Sequence, residues 1–70
     1  MTRETAQKVI DLMLLHGRQL DSLVELIQTT ESPEEFNKYR RSVAAIMAEM
    51  LLEVMNPIFR EHPDLKPAGL

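Results

Sequence analysis

A helix begins at Pro33. Ser32 before it can accept a hydrogen bond from a free N–H of the first turn, and proline at the first helical position gives up only an N–H that has no partner there. Glu34 and Glu35 then add negative charge at the positive end of the helix dipole. This start lies just before the midpoint of a chain of 70 residues and divides it into two amphipathic segments of similar length. The expected fold is all-α: an antiparallel two-helix hairpin within residues 1–62, with helices over about 3–29 and 33–60 and a loop over about 30–32. Residues 63–70 read as an extended, proline-containing tail.

Thr2 can cap the first helix, and Glu4 and Lys8 form a favourable pair four residues apart. Steps of three and four then connect Ala6, Val9, Met13, His16, Leu20, Leu23 and Ile27, a seam suited to one antiparallel neighbour. Beside it run Leu12, Leu15 and Leu26, with Gln19 in the same row; Ile10, Leu14 and Val24 occupy the other flank. In the second helix the seam reads Phe36, Tyr39, Val43 and Ile46 with Met47, Met50 and Val54. A second row follows through Ala44, Ala48, Leu51, Met55, Ile58 and Phe59. Pro57 either ends this helix near Met55, with Asn56 capping a restart, or kinks it; the unbroken rhythm Met50, Val54, Ile58 favours the kink.

Two helices packed once leave apolar rows with nothing to cover them. Soluble monomers rarely carry so large an exposed patch, and a short chain without disulfides gains most from association. The simplest expectation is a homodimeric four-helix bundle, with Leu12, Leu15, Leu26, Ala44, Ala48, Leu51, Met55 and Phe59 at the interface. A competing expectation is that the tail and a bent end of the second helix fold back over one face. The function that follows is a small oligomeric protein–protein interaction or regulatory module, with a homodimer and a further protein as the partners.

Other classes find less support. A net charge of −3 argues against a nucleic-acid binder, although Lys38, Arg40 and Arg41 form a basic cluster that a dimeric nucleic-acid regulator could use. His16 lies near the middle of its helix, where a two-fold axis would bring it to its own copy, so a metal- or ligand-binding bundle is a weaker alternative. No second ligand stands at metal spacing from it, and with no cysteine in the chain neither metal nor cofactor is expected. Gly17 beside it is expected to let the helix backbones approach closely. Glu49 and Glu53 share a solvated strip, and no nucleophile with a base, and no phosphate loop, is present, so no enzyme activity is expected. The first residues lack the basic start of a signal peptide, and the apolar run Val9–Leu15 is broken by Asp11. No membrane association is expected from it, and a cytoplasmic setting is the default.

Overall fold

The computed structural model describes all of Met1–Leu70 and contains helices and no strands. Helix α1 spans Arg3–Thr30 and helix α2 spans Pro33–Glu49, joined by the two-residue link Glu31–Ser32. Each starts on the cap its sequence provides. Thr2 Oγ1 accepts from the Thr5 N–H at 3.2 Å, and Ser32 Oγ accepts from the Glu35 N–H at 3.2 Å. At the other end of α1, the hydroxyls of Thr29 and Thr30 donate back to the Leu26 carbonyl three and four residues earlier.

The second half does not stop at Met55. Residues Met50–Met55 form a widened, π-helical turn, and α3 continues from Asn56 to Glu61. The Asn56 N–H bonds to the carbonyl of Leu51, five residues back. Pro57 supplies the cause. It has no N–H, and its ring would press on the carbonyl of Glu53 in a regular helix; opening the preceding turn relieves both problems without breaking the run. Asn56 keeps helical angles (φ −60°, ψ −43°), so it continues the helix and caps no restart.

This turn has a large consequence for packing. One extra residue in a helical turn rotates everything after it by about 100°. Continued straight from Val43, the helix would turn Met50, Val54 and Pro57 inward. The π turn instead brings Met55, Ile58 and Phe59 to the core side, where they are 5–6% exposed, and Pro57 faces solvent. Met55 and Phe59, expected on an intermolecular face, therefore belong to the chain's own core.

That core sits at the open end of the hairpin. Ala6 and Ile10 of α1 meet Met55, Ile58, Phe59 and Leu65, with Val9, Met13, Leu14, Leu51 and Val54 packed around them. The tail is not extended where it begins: Pro63–Leu65 makes one 3₁₀ turn that drives Leu65 into this cluster. Polar contacts fasten it to the start of α1. Arg3 Nε donates to Asp64 Oδ2 at 2.8 Å, the Met1 ammonium meets Glu61 Oε1 at 2.8 Å, and His62 Nε2 lies 3.1 Å from the Met1 carbonyl.

Toward the loop the packing thins. Val43 is the one residue outside this cluster that is fully buried, and only seven of 70 residues are. The molecule measures 44 × 20 × 16 Å with a radius of gyration of 14.3 Å. A compact chain of this length would have a radius of about 11 Å. It is a rod with a well-packed end.

Candidate functional site

The face of α1 turned to its neighbour is Ala6, Ile10, Met13, Gly17, Leu20, Val24 and Ile27, all buried or half-buried. This row has the same three-and-four spacing as the expected seam but is rotated from it. Ile10, Gly17 and Val24 replace Val9, His16 and Leu23. The rotation takes an imidazole out of the packed face and puts a glycine there. His16 is exposed, and its Nδ1 donates to Gln19 Oε1 at 3.1 Å. No group of three acidic or histidine side chains gathers around it or elsewhere.

With this orientation, the outer side of α1 is apolar along most of its length. Leu12, Leu15, Leu23 and Leu26 are 41–56% exposed. Leu12, Leu15 and Leu26 are expected interface residues, and the structure leaves them bare; Leu23 joins them from the expected seam. On α2, Tyr39 and Ile46, both expected in the seam, are 41% and 50% exposed, and Leu52 in the π turn is 59% exposed. Ala44 and Ala48 are exposed too. The alternative row Ile10–Gly17–Val24 was the signal for Leu23: two apolar rows of equal spacing compete for the inside, and the one without a polar ring wins.

A second apolar feature lies on the other flank. Met13, Leu14 and Gly17 of α1 face Met47 and Leu51 across a groove of about 430 Å³, and Leu70 of the tail sits at its edge. Leu51, expected at the interface, is half-buried in this wall. The nearest atom to a side chain at Gly17 would be Met47 Cε at 3.9 Å, an ordinary contact, so Gly17 opens the groove and does not serve a close backbone approach.

The basic cluster is spread over ring faces. Lys38 lies 5.3 Å from the centroid of Tyr39, and Arg40 lies 5.9 Å from that of Phe36. Arg41 is exposed. The continuous helical run Pro33–Glu61 is long and apolar enough to cross a bilayer by length and composition, a test that core helices of soluble proteins also pass. Here that run supplies Val43, Met55, Ile58 and Phe59 to the core, and it carries Glu49 and Glu53 on its exposed side.

No protein-family model, no curated protein and no solved structure matches this chain.

Proposed function

We propose that the protein is a small oligomeric interaction or regulatory module that works as a homodimer, two hairpins joining into a four-helix assembly. The observation that carries this reading is the bare leucine row of α1: Leu12, Leu15, Leu23 and Leu26 stand exposed on one helix of a chain with little core of its own. The tail covers the open end of the hairpin and leaves this row uncovered, so folding back does not satisfy it. Burying a leucine fully contributes about 1.5–3 kcal/mol, and eight leucines, four from each copy, would share one contact.

The surface area points the same way. The chain exposes 5163 Å². A compact monomer of its mass would expose about 4,500 Å², an excess of roughly 700 Å². A standard interface removes about 800 Å² from each partner.

Sedimentation or multi-angle light scattering from about 10 μM to 1 mM tests the reading, bracketing dimers of micromolar affinity. Wild type should have the mass of a dimer and a melting temperature that rises with concentration. Leu26→Glu should be monomeric at the same concentrations while keeping its helical circular dichroism, because a carboxylate there is tolerated in water and not in an apolar contact. A wild-type chain that stays single at 1 mM would overturn the proposal.

A further inference from the structure

The bare row of α1 has an internal symmetry. Its members Leu12, Leu15, Gln19, Leu23 and Leu26 fall at −7, −4, 0, +4 and +7 from Gln19. Read from either end the row is the same: leucine, leucine, glutamine, leucine, leucine. In an antiparallel contact across a two-fold axis each residue on one copy meets the residue that mirrors it on the other, and with the axis at Gln19 every such pair in this row is leucine on leucine or glutamine on glutamine. We infer that two copies pair through antiparallel α1 helices, with Gln19 on the two-fold axis, Leu12 opposite Leu26 of the second copy, and Leu15 opposite Leu23. This inference rests on the homodimer proposed above and adds its docking direction and register.

Charge supports the same pairing. From Leu12 to Thr30 the row and its immediate edge hold leucine, His16, Gln19, Ser22 and threonine, with no charged group among them. Lys8, one turn before Leu12 on the same stripe and exposed, is the first charge the row meets toward the start of the helix, while Asp11 lies to the side of it. In the mirrored register Lys8 falls opposite the uncharged Thr30 of the second copy. A parallel pairing would instead set Lys8 against Lys8. The antiparallel arrangement also opposes the two helix dipoles.

Gln19 suits the axis. Its Oε1 lies 3.1 Å from His16 Nδ1, which leaves the amide NH₂ to donate to its own copy. One polar position inside an apolar helix contact lowers stability but selects a register, since any sliding would set the amide against leucine.

The chain has no cysteine, so single cysteines report on this geometry without background. In facing helices the Cα atoms at an axis position come within disulfide range, about 4.4–6.8 Å. Leu12 and its copy would lie about 21 Å apart, fourteen residues of helical rise. Under mild oxidation Gln19→Cys should form a covalent dimer at least about tenfold faster than Leu12→Cys. An equimolar mixture of Leu12→Cys and Leu26→Cys should cross-link mainly as the mixed pair. All three substitutions lie on the exposed side of α1, and circular dichroism verifies that each variant is folded. If the protein is a dimer by sedimentation but Leu12→Cys links to itself as fast as Gln19→Cys, the pairing is overturned and the homodimer stands. If it is a monomer, both fail together.

Discussion

Gly17 separates two physical accounts of the hairpin. If the backbones met there, any side chain would push the helices apart. The structure gives the added Cβ an ordinary contact with the flexible end of Met47 at 3.9 Å. Glycine inside a helix costs about 1 kcal/mol relative to alanine. Gly17→Ala should therefore stabilise the fold by up to about 1 kcal/mol, read as a higher urea midpoint at unchanged slope. A loss of stability would mean that the helices touch more closely than their side chains suggest. His16, one residue away, shows how a single side chain decides which face of a helix turns inward. Two rows of equal spacing run along α1, and their apolar content hardly differs. Packing Gly17 against Met47 leaves His16 in water bonded to Gln19, and that avoids the cost of an imidazole against aliphatic neighbours.

At the scale of elements, the two helix starts were plain in the sequence because their causes are local. Thr2 and Ser32 accept from N–H groups three residues ahead, and nothing distant is needed to see it. The all-helical character was equally plain from the apolar spacing. The π turn was not, because its cause and its reward lie apart. Pro57 opens the turn, but what fixes the result is the match of Met55, Ile58 and Phe59 to Ala6, Ile10 and Leu65, residues distant in the chain. Extending the 3.6-residue period straight through the second helix therefore sends Met55 and Phe59, two of the expected interface positions, to the wrong side. The leucines of α1 were legible as a surplus; which surplus was not, since that depends on how α1 is rotated.

A deletion tests this account. The π turn holds one residue more than a regular helix would, and Leu52 within it is 59% exposed. Removing Leu52 together with Pro57→Ala, which takes away the ring that opens the turn, lets it close to an α-helical one while Met55, Ile58 and Phe59 keep their direction. The shortened chain should fold with full helical circular dichroism and a melting temperature within about 5 °C of wild type, a difference of roughly 1 kcal/mol or less for a domain of this size. In an unwidened helix the same deletion would rotate those three side chains out of the core and unfold the chain.

For the whole molecule, the packed end depends on a tail held by charge. Arg3 donates to Asp64 and holds its carboxyl below the ordinary range; the amino terminus does the same to Glu61 through a direct hydrogen bond and its charge, with His62 adding to it. Both groups are lowered in the folded chain. Their contribution is present above the ordinary carboxylate pKa of about 4 and is lost as pH falls through the lower folded values. Exposed pairs of this kind contribute little to global stability, so the expected event is local: the 3₁₀ turn lifts and Leu65 leaves Ile10 and Phe59 before the helices part. In an acid titration followed by NMR, the Leu65 methyl signals should hold steady from pH 7 to pH 5. They should move toward unstructured values only below about pH 4, while the Val43 signals, remote from the tail, stay in place. Arg3→Ala should leave Leu65 partly released already at pH 7 and shrink its change in acid, because Asp64 then titrates almost alike in the docked and the free tail. If Leu65 and Val43 changed together in both proteins, the tail and the hairpin would be one cooperative unit, with the ion pairs incidental to it.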